Sequence, residues 1–354
     1  MKRDAKTVLV TGGAGFIGGN FMHYWRARHP GDRLIILDAL TYAGNRSTIA
    51  EVQGVELVVG NICDTPLVER LLREHDIDTL VHFAAESHVD RSISAPDAFI
   101  ETNVVGTHSL LKAARSVWLD GSGRSHRFHH VSTDEVYGSL GPNDPAFSET
   151  TAYAPNSPYS ASKAGSDHLV RAYHHTFGLN VTTSNCSNNY GPYQYPEKLI
   201  PLFLINALSG KALPIYGDGM NVRDWLHVED HCRGIEAVIA RGRAGETYNI
   251  GGGQELPNLM VIEEICKGVD AAFAADPDLA QRYPDAPAAK GQPTASLKTF
   301  VEDRKGHDRR YAIDETKSRE ELGYAPTRNF TEGFAQTLAW YLANEGWWRT
   351  LMKG

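Results

Sequence analysis

The sequence predicts an α/β protein with a Rossmann-type, doubly wound parallel sheet and a smaller C-terminal α/β lobe. Three observations support this fold class. A glycine-rich turn follows the first apolar run, strand and helix patterns alternate up to about residue 190, and prolines interrupt the pattern beyond that point. At 354 residues the chain is long enough for one large α/β unit with an appended lobe.

Strand and helix patterns alternate along the first half of the chain. Short apolar, β-rich runs predict strands at residues 7–10, 34–37, 79–83, 128–132 and 181–184. Longer segments between them predict helices at residues 16–28, 66–75, 103–118 and 159–177. Strands separated by helix-length segments form βαβ units, and therefore a parallel sheet that helices cover on both faces.

The second half is less regular. The pattern predicts a helix at 229–241, a strand at 247–250 and a final amphipathic helix at 331–344. Residues 270–299 are rich in Ala, Pro and Asp, and we interpret them as loop with one short helix. The expected division is a first domain over 1–190, to which 227–256 returns, and a second lobe over most of 191–354.

Charge and cysteine content exclude several classes of protein. The formal net charge is −8 and no long basic run offsets it, so nucleic acid is not an expected partner. No apolar run has the length of a membrane span. The four cysteines are widely separated and show no metal-ligand spacing, which favours a reduced, cytoplasmic protein without a metal site.

The glycine-rich turn predicts a dinucleotide site. Gly13, Gly15 and Gly18 fit G-x-G-x-x-G, in which glycines permit a tight turn and a close approach of backbone to a pyrophosphate. The N-terminus of the following helix attracts the phosphates. Asp38 closes the second strand, where a carboxylate accepts hydrogen bonds from the adenosine ribose and disfavours a 2′-phosphate. The predicted cofactor is NAD; the alternative for Asp38 is a capping role.

Two further motifs carry chemistry. Tyr159 and Lys163 lie four residues apart on one helix face, where an ammonium favours the phenolate and so lets it remove a proton from an alcohol. Asp134 and Glu135 follow Thr133 at the end of a predicted strand, where active sites of open α/β sheets form. Oxidation of an alcohol needs neither carboxyl group, whereas loss of water needs both an acid and a base. The alternative for the pair is a capping or solvent-facing role.

Taken in order, these motifs resemble the extended short-chain dehydrogenase/reductase family. Within it, AAESHVDRS at 84–92, SNNYGP at 187–192, RDW at 223–225 and DRKGHD at 303–308 resemble the dTDP-glucose 4,6-dehydratases. Asn61 stands where that pattern has Asp, which at most weakens one adenine contact. Lys305 stands where it has Pro, which would loosen that loop.

The resemblance implies a set of NAD contacts, namely Gly12, Gly15, Phe16, Ile17, Gly18, Asp38, Ala39, Leu40, Thr41, Asn61, Ile62, Ala84, Ala85, Ser87, Thr102, Tyr159, Lys163 and Asn189. It implies contacts with a nucleotide sugar from Ser87, Thr133, Asn188, Lys198, Leu199, Pro214, Tyr216, Arg223, Asn258 and His307. Lys198 and Arg223 suit this role because they are cations in an acidic chain, and Arg can bind phosphate oxygens with two N–H groups.

The implied reaction converts dTDP-D-glucose to dTDP-4-dehydro-6-deoxy-D-glucose and water, with NAD carrying a hydride from C4 to C6. Tyr159, with Lys163 and Thr133, would remove the 4-hydroxyl proton, Glu135 the C5 proton, and Asp134 would protonate the departing C6 hydroxyl. The alternatives are another nucleotide-sugar 4,6-dehydratase or a 4-epimerase, and more remotely a non-catalytic NAD-binding sensor. The 6-deoxysugar could serve cell-surface rhamnose or secondary metabolism.

The helices predicted at 103–118 and 159–177 carry apolar residues on more than one face. In the family that the chain resembles, these helices pair across a two-fold axis as a four-helix bundle. We therefore expect a homodimer; the alternative is that one chain covers both faces itself.

Overall fold

The computed structural model describes residues 5–304 and 306–352. In chain order the strands are β1 (Thr7–Thr11), β2 (Arg33–Asp38), β3 (Val55–Val59), β4 (Thr79–His82), β5 (Arg127–Thr133), β6 (Val181–Cys186), β7 (Asn188–Tyr190), β8 (Leu213–Tyr216), β9 (Val222–His227), β10 (Thr247–Ile250), β11 (Glu255–Pro257) and β12 (Lys298–Val301).

The α-helices are α1 (Phe16–Arg28), α2 (Thr65–Glu74), α3 (Val89–Ser94), α4 (Asp97–Phe99), α5 (Thr107–Ala114), α6 (Pro158–Phe177), α7 (Leu199–Leu208), α8 (Val228–Arg241), α9 (Asn258–Ala275), α10 (Asp278–Arg282), α11 (Thr316–Leu322), α12 (Phe330–Ala343) and α13 (Glu345–Leu351). Two π-helical stretches, Ile100–Gly106 and Arg115–Ser122, flank α5. Short 3₁₀ turns lie at Arg46–Ile49, Asp134–Tyr137, Pro287–Lys290 and Thr294–Leu297.

A seven-stranded parallel sheet organises the first part of the chain, in the order β10-β6-β5-β4-β1-β2-β3. Apolar side chains of α2, α5 and α6 pack on one face, and those of α1 and α8 on the other. Because both faces are covered, the central strands are buried along nearly their whole length. The strand order reverses between β1 and β4, which opens a crevice at the carboxyl ends of these strands.

A smaller lobe stands beside this sheet. It contains the three-stranded sheet β11-β9-β7 and the parallel pair β12-β8. Its core is formed largely by apolar side chains of α7, α9 and α12. Because β9 lies in this lobe and Asn188 of β7 pairs with Trp225 of β9, the lobe is joined directly to the chain that leaves β6.

The predicted fold class is confirmed, and the predicted elements of the first half are present within a few residues of their predicted bounds. The helix expected at 103–118 is part of a longer helical stretch that includes the two π-helical segments. The prediction of mostly loop over 270–299 is wrong. Helix α9 extends to Ala275, and α10, two 3₁₀ turns and the start of β12 follow. Buried Leu279 and Tyr283 attach this segment to the core of the smaller lobe.

Within the described residues, no helix combines the length and the apolar character that a bilayer span requires.

Candidate active site

The glycine turn after β1 is packed too closely for side chains. Gly12 has φ +70°, and a Cβ there would lie 2.6 Å from the backbone nitrogen of Ala84. A Cβ on Gly18 would lie 2.2 Å from the Gly12 carbonyl oxygen. Glycine at both positions therefore lets the turn fold against β4 and the start of α1. The same turn presents the N-terminus of α1 to the crevice.

Asp38, at the end of β2, holds this turn in place. Its Oδ2 accepts a hydrogen bond from the Ala14 N–H at 2.9 Å, and its Oδ1 accepts one from the Leu40 N–H at 2.8 Å. Burial raises the pKa of this carboxyl group, and the two backbone N–H groups act in the opposite direction. A carboxylate has further lone pairs, so Asp38 retains acceptor capacity for a ribose hydroxyl. Leu40 itself has φ +49°, which turns the chain after the strand.

Asp134 and Glu135 form the first turn after β5, where the Thr133 hydroxyl accepts a hydrogen bond from the Glu135 N–H at 3.3 Å. Asp134 is buried, and its Oδ2 has no hydrogen-bond partner among the described residues. The two carboxyl groups therefore share one position in the fold but differ in access, because Glu135 remains partly exposed at the crevice.

The surroundings also act differently on the pKa values of the Asp134 and Glu135 carboxyl groups. The pKa of Asp134 lies well above its usual range, because of burial first and then the neighbouring charges of Glu135 and Asp224. Burial also raises the pKa of Glu135, and the positive charges of Lys198 and Arg223 oppose this rise. A protonated Asp134 beside a Glu135 carboxylate is therefore the arrangement that these surroundings favour.

Helix α6 positions the tyrosine and lysine. It begins at a capping box in which Ser157 and Ser160 satisfy each other's backbone N–H groups, with Pro158 in the first turn. Its Lys163 Nζ donates a hydrogen bond to the Val131 carbonyl oxygen at 2.8 Å. The Tyr159 side chain is buried and lines the same cavity as the neighbouring Thr133.

The pKa of Tyr159 lies well above its ordinary value, because burial and then the charge of Glu135 both disfavour the phenolate. The neighbouring Thr133 side chain opposes this rise. Lys163 is buried too, and burial lowers the pKa of its ammonium. The protein alone thus favours the protonated form of Tyr159, and a positive charge placed beside it would favour the phenolate.

A single cavity of about 340 Å³ joins the glycine turn to these groups. Of the residues expected to contact NAD, all but Leu40 line it. So do the catalytic candidates Thr133, Asp134, Glu135, Tyr159 and Lys163, and the substrate candidates Ser87, Asn188 and Lys198. The Asn61 side chain lies at the rim, where its Oδ1 accepts a hydrogen bond from the Cys63 N–H at 2.9 Å.

The other substrate candidates, Leu199, Pro214, Tyr216, Arg223, Asn258 and His307, lie outside the lining of this cavity, in the smaller lobe. The His307 ring is 6.4 Å from the Tyr216 ring. Buried Asn258 Oδ1 has no hydrogen-bond partner among residues 5–304 and 306–352. Arg223 is held by the Val222 and Asp308 carbonyl oxygens, at 2.7 and 2.9 Å. Lys305 of the neighbouring loop lies outside the described residues.

Arg223 links the substrate candidates of the smaller lobe to the carboxyl pair electrostatically. Its charge lowers the pKa of Asp134, of Glu135 and of His307. Positive charge from the smaller lobe therefore reaches the carboxyl pair.

Sequence reasoning missed several residues of the cavity wall. Tyr42, Glu86, Cys186, Gln194, Tyr195 and Glu197 all line it. Among them, the Tyr42 hydroxyl donates to Glu197 Oε1 at 3.0 Å, which joins the loop after β2 to the loop before α7. No local pattern marks such residues, because loops distant in sequence meet here; only the position of Cys186 at the end of β6 could have suggested it.

No group of three or more His, Cys, Asp or Glu side chains is arranged to hold a metal ion in the part of the chain that the structure describes.

Comparison with known proteins agrees with this geometry. The chain is 55% identical to the dTDP-glucose 4,6-dehydratase of Xanthomonas campestris pv. campestris (strain B100), over 98% of this chain and 96% of that protein. It is 50% identical to dTDP-glucose 4,6-dehydratase 1 of Escherichia coli (strain K12), with the same coverage of each.

Solved structures are also similar. The dTDP-glucose 4,6-dehydratase of Streptomyces venezuelae, crystallised with NAD bound, superposes with a TM-score of 0.86 at 48% identity, covering 98% of this chain and 99% of that one. The UDP-glucose 4-epimerase of Thermotoga maritima superposes with a TM-score of 0.81 at 26% identity, covering 96% and 99%.

A glycine turn at the strand-order reversal, with Tyr159 and Lys163 facing the same cavity, defines an extended short-chain dehydrogenase/reductase. Within this class, the carboxyl pair after β5 points to enzymes that remove water. The sequence pattern of the GDP-mannose 4,6-dehydratase family matches residues 9–337. The chain belongs to this family and, within it, to the dTDP-glucose 4,6-dehydratases.

Proposed function

We propose that this protein is an NAD-dependent hydro-lyase that converts dTDP-D-glucose to dTDP-4-dehydro-6-deoxy-D-glucose and water. One observation carries the proposal: an acid–base pair of carboxyl groups, Asp134 and Glu135, lines the same cavity as Tyr159 and Lys163. Oxidation alone needs only the second pair. Removal of water after oxidation needs both pairs in one place.

The cavity fits NAD. Its glycine turn brings backbone N–H groups and the N-terminus of α1 to one end, which suits a pyrophosphate. Asp38 stands where the adenosine ribose would lie, and its charge disfavours the 2′-phosphate of NADP. When bound, NAD would accept a hydride from C4 of the sugar and return it at C6. The residues proposed to contact it are those expected from the sequence, with Leu40 acting through its backbone turn.

The protein groups have distinct proposed roles. Tyr159, beside Thr133, removes the proton of the 4-hydroxyl, and the ammonium of Lys163 favours its phenolate. A ketone at C4 then acidifies the C–H bond at C5. Glu135 takes that proton while Asp134, kept protonated by its surroundings, donates a proton to the C6 hydroxyl as the C–O bond breaks. The C5 proton is returned as C6 is reduced.

We propose that the nucleoside diphosphate lies across the smaller lobe. Ser87 and Asn188 would contact the sugar and its phosphates. Lys198 is aimed at this region, because its Nζ donates to the Ser87 carbonyl oxygen at 2.9 Å. Tyr216 and Asn258 Oδ1, which has no partner within the described part of the chain, offer stacking and polar contacts beyond it. This assignment makes 191–354 mainly a nucleotide-sugar lobe, with 1–190 and the segment 227–256 holding the cofactor.

The test is to incubate the protein with dTDP-glucose and measure the alkali-induced absorbance of a 4-keto sugar. UDP-glucose and GDP-mannose are run in parallel, and Tyr159→Phe serves as the inactive control. The proposal expects the keto sugar from dTDP-glucose. Formation of a C4 epimer without keto sugar would indicate an epimerase instead, and turnover of GDP-mannose alone would indicate another dehydratase. Bound NAD without turnover of any sugar would indicate a sensor.

We also propose a cytoplasmic homodimer. Ile93, Ile100 and Val105, on and between α3 and α5, are each about half exposed, which leaves apolar surface for a partner copy. All four cysteines are free, as expected for a reducing compartment. Light scattering at micromolar concentration should give twice the 39.0 kDa mass of one chain; the mass of one chain would contradict the dimer.

A further inference from the structure

A second buried charge lies one helical turn beyond Lys163. Asp167 follows Lys163 by four residues on α6, so the two side chains leave the same face of the helix. Only 4% of Lys163 and 5% of Asp167 are exposed. Neither the glycine turn nor the Tyr–Lys motif involves Asp167, and it does not line the cavity.

Lys163 has little else to balance its charge. Its Nζ donates one hydrogen bond, to the Val131 carbonyl oxygen, and forms no other with residues 5–304 and 306–352. A carbonyl oxygen satisfies one of the three N–H groups but carries no net charge. An ammonium buried in this way tends to lose its proton. The pKa of Lys163 is indeed lowered by burial, while Asp167 acts to raise it.

Asp167 is held as an anion by the neighbouring strand. Its Oδ2 accepts hydrogen bonds from the Ser132 hydroxyl at 2.8 Å and the Tyr153 hydroxyl at 3.0 Å. Its Oδ1 is 2.9 Å from His130 Nε2. Ser132 directly follows Val131 on β5, so the strand that binds Lys163 through its backbone binds Asp167 through the next side chain. Burial raises the pKa of Asp167 to about 6, which leaves it ionised at neutral pH.

The other titratable groups around this pair do not supply a negative charge at neutral pH. They are His82 on β4, His130 on β5, Cys186 on β6, His168 on α6, and Tyr137 and Tyr153 between β5 and α6. Tyr159, one turn before Lys163 on α6, is neutral without cofactor as well, because burial raises its pKa. Burial drives the pKa of His82 and His130 well below the ordinary value, so both are neutral. Burial raises the pKa of Cys186, Tyr137 and Tyr153, so these are neutral as well. His168 is exposed to solvent.

We propose that Asp167 is a positioning residue that keeps Lys163 an ammonium, because it provides the buried negative charge on the helix face of that lysine. This inference rests on the proposed function in one respect: the ammonium is assumed to support the Tyr159 phenolate. Asp167 touches neither substrate nor cofactor. It acts through Lys163 alone and does not line the cavity.

The direct test follows the protonation of Lys163 without substrate. Protein labelled with carbon-13 at lysine Cε is titrated by NMR, and the Lys163 resonance is the one missing in Lys163→Gln. Asp167→Asn should lower the pKa of Lys163 by about one unit or more. Asp167→Glu should restore most of the difference. Ser166→Ala is the matched control: Ser166 Oγ lies 3.5 Å from the same His130 Nε2 but carries no charge, so its removal should leave the Lys163 titration unchanged.

We expect Asp167→Asn to fold. An Asn carbonyl oxygen can still accept from Ser132 and Tyr153, and His130 Nδ1 has no partner among the described residues, so its ring can change tautomer to accept from the new amide. Should this variant not fold, Ser132→Ala with Tyr153→Phe tests the same charge. Loss of both donors raises the pKa of Asp167, and Lys163 should then titrate at lower pH.

Activity provides the second readout. In Asp167→Asn the acid limb of the pH profile of kcat/KM should move to higher pH by about one unit, a roughly tenfold loss at a pH on that limb. An unchanged Lys163 titration would overturn the inference, as would an equal loss at every pH. A shifted Lys163 titration in a protein inactive on dTDP-glucose would uphold the inference and reject the proposed function instead.

Discussion

Replacement of Glu135 by Gln separates the two halves of the proposed reaction. Gln has nearly the same shape, and the Glu135 backbone N–H that bonds to Thr133 is unaffected. The substitution removes the base for the C5 proton. It also removes a negative charge that raises the pKa of Tyr159. The variant should therefore be impaired in elimination and unimpaired in oxidation at C4.

The size of each effect follows from its cause. A positioned general base contributes about 10²–10⁴-fold to a proton transfer, so formation of the 4-keto-6-deoxy product should slow by about that factor. The initial oxidation should be as fast as in the unmodified protein or faster at low pH, because Tyr159 loses a nearby carboxylate. The predicted quantity is the ratio of the rate of oxidation at C4 to the rate of product formation, rather than either rate alone.

Single-turnover measurements resolve the two steps. The protein, in excess, is mixed with dTDP-glucose, and absorbance of the reduced nicotinamide is followed together with quenched product analysis. In Glu135→Gln the reduced cofactor should accumulate while product formation lags. Glu86→Gln is the control, because Glu86 is another carboxylate of the cavity wall with no proposed proton transfer. Product formation at the normal rate in Glu135→Gln would refute the assignment of Glu135 as the base.

Three further predictions concern the cofactor and stability. Gly18→Ala places a Cβ 2.2 Å from the Gly12 carbonyl oxygen, which costs about 1–3 kcal/mol of strain. Calorimetry should therefore show the affinity for NAD reduced about tenfold or more. Gly31→Ala is the control and should bind NAD normally, because no atom lies within 4 Å of the new Cβ. Asp38→Asn removes the charge that disfavours a 2′-phosphate, so the ratio of NAD to NADP affinity should fall about tenfold, and an unchanged ratio would contradict this role. Burial lowers the pKa of His231 from 6.5 to about 3. The contribution of neutral His231 to stability is therefore present above pH 6.5 and is lost as pH falls toward 3, at about 1.4 kcal/mol per pH unit. Urea unfolding at pH 7 and pH 5 should show a smaller loss of unfolding free energy in His231→Gln than in the unmodified protein.

The parts of the fold that were predictable are those with local signals. The turn between β1 and α1 is specified by closely spaced glycines and was found from the sequence. The helix predicted at 159–177 matches α6 to within one residue at each end. Helix α9 was missed although Val261, Ile265 and Val269 recur on one face, because it runs into a stretch rich in Ala, Pro and Asp. The segment after α9 is ordered by contacts with distant helices, which no local pattern reports.

Some residues of the site are likewise marked by local motifs, whereas the role of others depends on tertiary contacts. Asp134, Glu135, Tyr159 and Lys163 stand in recognisable motifs, and the structure brings them to one cavity. Asp167 stands one turn from the motif, yet its significance depends on hydrogen bonds from β5 and Tyr153 that form only when helix and sheet pack. The relative pKa values of the carboxyl pair also depend on tertiary structure, since Asp224, Lys198 and Arg223 come from other parts of the chain.

The central claim is that a hydrogen removed from the sugar returns to the same molecule two carbons away, while an acid and a base expel water between the two events. Isotope tracing tests it most directly. With dTDP-glucose carrying deuterium at C4, the product should hold that deuterium in its C6 methyl group, and mass spectrometry of a mixture with unlabelled substrate should show no exchange between molecules. Release of the label to solvent, or its absence from the methyl group, would contradict the account.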